Sequence, residues 1–412
     1  MAFELRYSEP KKAHQISVTS IKLAKTDTLN SSYILSLRNA AISLYAMSEY
    51  NQAISYLDRA LSISETISDS IALSATHNNL FLVYNAIGEF HSAKKHLLSS
   101  LEIDIGLGDT LGIALNYNNL ADFYLLQGHT DEAIHLYMQS ANLELQMNNP
   151  QGAADSYNNI ATVYTQIKKY ELSLYYFNKA LSIYEASNNL QDMAMCMGNM
   201  AQTLAAMNMG MEALTYADKS IEIRIELNDK KGLAQSYLSK AIVLQSLGRD
   251  NEAEELFFIS MNLALEVGNY RQLAVGFHSQ AEYFVQKKDT VKAIESYLNS
   301  LEFAREIQYH ELLISTLNSV SELFAGIGDF QNAFKYRQEL TLLMENKTEA
   351  ISAPFLNLTQ TSHPDPETIE SNRNQVLIFF LALLLFFIIL SIFLAIKLIG
   401  LKKGTHQTLN KD

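Results

Sequence analysis

Small side chains fall at one point in every forty residues of this chain. Ala13, Ala53, Ala93, Ala133, Ala213, Ala253, Ala293 and Ala333 share a single register, and Ser173 fills the remaining place. Twelve residues earlier lies a second small position, held by Ala41, Ala121, Ala161, Ala201, Ala241, Ala281 and Ser321, with Phe81 as the exception. Nine before the alanine comes a large apolar or ring side chain: Leu44, Tyr84, Tyr124, Tyr164, Leu204, Leu244, Phe284 or Phe324. Four after it stands Leu57, Leu97, Tyr137, Phe177, Phe257 or Tyr297. Apolar positions three and four apart predict helices, and a fixed small residue marks where two helices cross closely. Gly88, Gly128, Gly248 and Gly328 predict a turn five residues before the alanine. Asp69, Asp109, Asn149, Asn189, Asp229 and Asn269 predict helix N-caps at the start of each unit. The unit is therefore helix, tight turn, helix, short loop.

The clearest copy is Leu111–Pro150, with Tyr117, Leu120, Ala121, Tyr124, Gly128, Ala133 and Tyr137 in order. This pattern resembles the tetratricopeptide repeat, over roughly residues 8–345. The unit is forty residues long rather than thirty-four, and in this it is similar to kinesin light chain. The resemblance implies an all-α fold, a right-handed α-solenoid with a concave groove. The physical reason for stacking is that one helix pair cannot bury its apolar face alone.

The ends of the array read differently from its middle. In the last unit the aromatic position becomes Arg337, followed by Gln338 and Glu339, which predicts a polar terminal cap. Pro10–Lys25 aligns as the second helix of a unit, with Ala13, Ile16, Ile21 and Ala24 on its buried side. Only Met1–Tyr7 is left for a first helix, so the array is expected to start mid-repeat, with a native start further upstream.

Periodicity stops after Glu345. Residues 346–375 hold Pro354, Pro364 and Pro366 and predict an extended linker. Val376–Ile396 follows, 21 residues without a charge. As a helix it would measure roughly 31 Å, enough to cross a bilayer. Residues 397–412 form a short basic tail with Lys397, Lys402, Lys403 and Lys411. The lysines predict a cytoplasmic tail and extracytoplasmic repeats on a single-pass membrane protein. Met1–Ser8 holds no uninterrupted apolar run of the kind a secretory signal needs, which keeps a tail-anchored arrangement open.

Composition narrows the partner and the chemistry. A net charge of −13 argues against nucleic acid. The single Cys196 excludes an intramolecular disulfide and a cysteine-based zinc site. The histidines lack ligand spacing; His91 and His96 do not share a helical face. Gly106-Leu107-Gly108-Asp109 lacks the lysine of a phosphate loop. No catalytic set can be assigned, so the chain reads as a non-enzyme with no cofactor and no small-molecule substrate.

Asparagine is the residue that architecture does not require. Asn39, Asn79, Asn119, Asn159 and Asn199 keep the forty-residue register, and Asn78, Asn118 and Asn158 double three of them. Asparagine is a poor mid-helix residue because it competes for local backbone bonds. Two accounts are open: each amide ties neighbouring repeats together, or each faces the groove. Similarity to kinesin light chain implies that the second asparagine of the Asn-Asn-Leu-Ala segment lies on the groove wall and grips the backbone of an extended peptide, for which an amide offers donor and acceptor. These eight asparagines are the candidate peptide-binding set. The register passes to Ser239, Ser279 and Ser319 in the last units, so the grip belongs to the N-terminal half. Arg38 and Lys240, far apart, make a carboxylate clamp an unsuitable reading. The expectation is a membrane-anchored scaffold that binds an extended peptide of a protein partner. The alternative is the sensor part of a truncated bacterial signal-transduction regulator, which the layout resembles.

Overall fold

Two 17-residue helices and two three-residue turns make up the forty-residue period, and this arithmetic holds along nearly the whole array. The computed structural model describes residues 10–24 and 28–349, with side chains of 346–349 excepted. Those residues form seventeen helices and no strand. We number them α1 (Pro10–Leu23), α2 (Ser31–Ala46), α3 (Tyr50–Thr66), α4 (Ser70–Ala86), α5 (Phe90–Leu107) and α6 (Thr110–Leu126). There follow α7 (Thr130–Gln146), α8 (Pro150–Gln166), α9 (Tyr170–Ala186), α10 (Leu190–Ala206), α11 (Gly210–Glu226) and α12 (Lys230–Ser246). The last are α13 (Asp250–Glu266), α14 (Tyr270–Gln286), α15 (Thr290–Glu306), α16 (His310–Gly326) and α17 (Phe330–Glu349). Pairs α2–α3 to α16–α17 are repeats I to VIII, and α1 packs on repeat I in the manner of a second helix.

The turns recur every twenty residues with one left-handed residue each. Gly88, Gly128 and Gly248 take φ of +80°, +83° and +70°, where glycine has no Cβ to object. Ser48, Lys168, Asn208 and Gln308 do the same work at φ 62°, 62°, 62° and 52°. The geometry closes each helix with a bond from the residue after it to a carbonyl five back, as Asp109 N to Asp104 O at 2.9 Å. All six expected caps present an acceptor oxygen to their helix; Asp69, for example, accepts from Ala72 N at 3.0 Å.

The register alanines Ala53 to Ala293, and Ser173, are fully buried. Inside the repeats a period-forty serine staples the second helix to the first. Ser140, Ser220, Ser260 and Ser300 donate to the carbonyls of Ala114, Ala194, Ala234 and Ala274 at 2.6–2.9 Å. Between repeats, a bulky polar side chain at the end of one second helix meets glycine in the next first helix. Asp104, Glu144 and Arg224 occupy the space that a Cβ would need on Gly112, Gly152 and Gly232.

The final helix departs from the polar cap expected of it. Arg337 reaches Asn318 at 3.0 Å and Glu339 is forked to Arg305 at 2.8–2.9 Å. Yet Phe330 and Phe334 on the same helix stand 72% and 70% exposed. The helical array also runs to Glu349, slightly past the expected end at 345. The expected linker, span and tail (346–375, 376–396 and 397–412) lie outside the described residues, apart from the helical backbone of 346–349. Among the described residues no helix is long and apolar enough to cross a membrane.

The array curls back on itself. The Tyr50 hydroxyl donates to the Ile307 carbonyl at 2.9 Å, bringing the turn of repeat I to the loop after repeat VII. His310 Nδ1 lies 3.2 Å from the Ala86 carbonyl, its ring edge-on to Phe90, and α17 touches α5.

Candidate functional site

The asparagines lie on first helices: Asn39 on α2, Asn78 and Asn79 on α4, Asn118 and Asn119 on α6, Asn158 and Asn159 on α8, Asn199 on α10. The structure divides them into two sets. In the first, amides join neighbouring repeats: Asn119 Nδ2 donates to Asn78 Oδ1 at 2.7 Å, and Asn199 Nδ2 to Asn158 Oδ1 at 3.5 Å. Asn118 is held from two sides, donating to Ser140 Oγ at 2.7 Å and accepting from Ser156 Oγ at 3.2 Å. These five amides are engaged in hydrogen bonds within the array.

In the second set, Asn39, Asn79 and Asn159 are half-buried, and their side chains make no hydrogen bond among the described residues. Asn159 would repeat the Asn119–Asn78 bond to Asn118, but the Asn118 amide is turned to Ser140 and Ser156 instead. Neither repeat nor cap among the described residues satisfies these three groups, and solvent reaches all three.

The face they share also carries apolar surface. Leu35 and Leu115 lie one turn before Asn39 and Asn119, and Ile71 and Leu111 two turns before Asn78 and Asn118. All four are exposed, by 47–70%. Four residues after Asn118 on the same face is Asp122, which shows what this face looks at. Solvent reaches Asp122, yet Glu311 and Arg271, from repeats VIII and VII, are near enough to act on its charge. The face therefore looks across the turn of the coil at the opposite repeats.

Burial pushes the Asp122 carboxyl up to about 6, against the hydrogen bond it accepts from the Tyr137 hydroxyl. The nearby Glu311 charge raises it further and Arg271 lowers it. Arg271 in turn donates to the Tyr309 hydroxyl at 3.1 Å and lies 4.3 Å from the centre of that ring. Asp155 behaves similarly: burial raises it to about 6, and it accepts from Tyr184 at 2.8 Å. Periodicity does not point to Asp122, Arg271 and Glu311, because only the curl brings side chains four and five repeats apart together. Lys240, by contrast, is paired with Asp218 at 2.6 Å.

The remaining candidates for chemistry are structural. Cys196 is fully buried, its thiol pushed up to about 12 by burial and directed at the Phe177 carbonyl. His96 pairs with His77 rather than His91, Nδ1 to Nδ1 at 2.8 Å, and is pushed down to about 4 by burial and by that neighbour. Among the described residues no group of three His, Cys, Asp or Glu could hold a metal ion.

The family pattern described as tetratricopeptide repeat matches residues 32–106, 73–143 and 112–186. Residues 32–186 are tetratricopeptide repeats. The same helix–turn–helix geometry continues to Glu349. The matched repeats are those that carry the asparagines up to Asn159. No curated protein is similar enough to count as a match. Among solved structures, the helical array is similar to the apo form of RapI, at 18% identity over 67% of this chain and 99% of that one, with a TM-score of 0.56. Aspartyl phosphate phosphatase F from Bacillus subtilis is similar at 16% identity over 88% of this chain and 94% of that one (TM-score 0.53). So is the Rap conjugation gene regulator of the plasmid pLS20 in complex with the Phr* peptide, at 16% over 79% and 77% (TM-score 0.51). At these identities what is shared is the fold.

Proposed function

We propose that this protein is a scaffold whose first-helix face in repeats I to IV binds an extended peptide segment of a protein partner. The observation that carries the reading is the set of three unpaired amides, Asn39, Asn79 and Asn159, at forty-residue intervals and broken only at Asn119. A peptide backbone supplies one donor and one acceptor per residue and suits a periodic row of amides. The exposed Leu35, Ile71, Leu111 and Leu115 beside them offer apolar surface to the peptide's side chains. Asn119 and Asn199, whose amides are tied to Asn78 and Asn158, hold the row in place rather than contact the peptide.

The apolar run Val376–Ile396 supports membrane anchoring, and the lysines after it support a cytoplasmic tail with the repeats on the other side. A second reading is the sensor part of a signal regulator. The likeness in fold to a Rap regulator in complex with a peptide favours it. Both readings place a peptide on the repeats and differ in whether its arrival is transmitted.

Affinity capture from membranes with the full chain, compared with Asn39→Ala/Asn79→Ala/Asn159→Ala, tests the shared claim. The triple variant is expected to lose the co-purifying partner while keeping helix content and melting temperature. Undiminished capture by the variant refutes the amide grip. Protease added to intact cells tests orientation: digestion of the repeats supports their exposure outside, and protection overturns it.

A further inference from the structure

Two hydrogen bonds and a ring contact join parts of the chain that repeat stacking never brings together. Tyr50 and Ile307 are 257 residues apart, and His310 and Ala86 are 224 apart. His310 is placed by its own turn as well as by its distant partner: Nδ1 lies 2.8 Å from the Gln308 carbonyl and 3.2 Å from the Ala86 carbonyl. Both partners are acceptors only, so Nδ1 carries the proton and is shared between them. The rest of the ring lies over Gly88 and against Phe90. A Cβ built on Gly88 would stand 2.6 Å from His310 Nε2, so the imidazole occupies space that only glycine leaves free. The ring centroids of Phe90 and His310 are 6.2 Å apart at 78°, an edge-to-face pair. Four elements therefore meet at one seam: the starts of α3 and α5, the end of α4, and the start of α16.

The seam has a consequence for the inward face. With repeats I and II touching the junction of VII and VIII, the first helices face one another across a closed turn. Asp122 records this: it keeps solvent contact and yet feels Glu311 and Arg271 from the far wall. A surface that is wet but enclosed is a lumen rather than an open groove.

We propose that the seam made by Tyr50, Ile307, His310, Ala86 and Phe90 is a latch that closes one turn of the array. The peptide face then takes in a polypeptide only by its free end, or after the latch opens. The second clause rests on the peptide-binding reading; the latch itself does not. Its two hydrogen bonds lie at helix ends and turns, where local opening costs least. A folded loop or globular epitope does not fit a closed turn, so the partner class narrows to a chain terminus or an unstructured segment.

The test measures access and needs no partner. In the full chain, Asp122→Cys places a thiol in the lumen and Val291→Cys places a reference thiol on a position 77% exposed. Cys196 is buried with its thiol pushed up to about 12, and stays silent. Each variant is labelled with N-ethylmaleimide and with a 5 kDa polyethylene-glycol maleimide, the polymer being the probe of size. For the reference thiol of Val291→Cys the two reagents are expected to differ only by their intrinsic reactivity. For the lumen thiol of Asp122→Cys the polymer is expected to lag by about ten-fold or more beyond that, as for access through a minor open state. Adding Tyr50→Phe and His310→Ala is expected to bring most of that lag down without changing helix content. A polymer that labels the lumen thiol as freely as the reference thiol overturns the closed lumen. A lag that survives both substitutions overturns the latch assignment. Tyr50→Phe alone, which deletes one hydroxyl and no packing, gives a partial gain in access if the double variant is poorly folded; no gain overturns the latch. The two claims fail separately: retained capture by the asparagine triple variant removes the amide grip alone, and free polymer labelling of the lumen thiol removes the latch alone.

Discussion

Asn119 donates its amide to Asn78 over 2.7 Å, one repeat back, whereas its register equivalent Asn159 makes no such bond. Two residues that look the same in the sequence thus do different work. The difference lies in the partner: Asn78 is turned toward Asn119, whereas Asn118 is turned to Ser140 and Ser156.

This separates stability from binding. Asn119→Ala is expected to destabilise the fold by about 1 kcal/mol, the net value of one protein hydrogen bond. Asn159→Ala is expected to stay within about 0.5 kcal/mol of the parent, as a substitution that removes no contact, while weakening peptide capture. Urea unfolding of each variant decides, and equal losses would show that Asn159 also ties repeats together.

Asp122 gives a pH dependence with a definite sign. Its carboxyl is raised to about 6 in the folded chain, so between the ordinary carboxylate range and about 6 the folded state binds more protons than the unfolded one. Its contribution to stability is greatest in acid and declines as pH rises through that window. Asp122→Asn keeps an oxygen for the Tyr137 hydroxyl and removes the charge. The variant is expected to gain stability relative to the parent at pH 7 and to lose that advantage near pH 4. A difference that does not change with pH would mean the carboxyl is unperturbed.

Glu144 and Gly152 form a matched pair at a repeat boundary. A Cβ on Gly152 would sit 2.5 Å from the Glu144 carboxyl carbon, and Glu144 also accepts from Asn149 at 2.7 Å. Gly152→Ala is expected to cost about 1–3 kcal/mol by overpacking. Combining it with Glu144→Ala should recover roughly 1 kcal/mol relative to the sum of the single effects. Thermal or urea melts of the cycle measure this, and strict additivity would dismiss the pairing.

Gly88 and Gly128 separate backbone strain from the seam. Both have φ near +80°, but only Gly88 faces another residue, His310. Gly128→Ala is expected to cost about 1 kcal/mol, the strain of a left-handed alanine. Gly88→Ala is expected to lose about 1 kcal/mol more from crowding and, combined with Asp122→Cys, to speed polymer labelling of the lumen thiol. The same stability loss at both positions would show that His310 simply moves aside.

Much of this architecture is legible in the chain. The forty-residue register names the crossing points, and the capping residues Asp69, Asp109 and Asn149 announce each repeat. These are local properties: a helix face, a side-chain oxygen, a residue without room for bulk. The turns are only partly legible, since glycine marks Gly88 or Gly128 while Lys168 and Gln308 adopt the same left-handed conformation with no such sign. There the flanking helices impose the backbone, and their packing offsets the strain.

Tertiary structure decided the rest. Whether an asparagine stacks or stands free depends on what its neighbours have already bonded, which no periodicity encodes. Glu144 with Gly152, and Arg224 with Gly232, could have been found as covarying sizes in the register, but only the structure shows that they touch. The meeting of Asp122 with Arg271 and of Ala86 with His310 left no mark in the repeat at all. The sequence by itself determined each repeat and its stacking, because those are contacts between neighbours. How far the coil closes is the sum of small rotations over many repeats, and only the folded chain determines where that sum brings its ends.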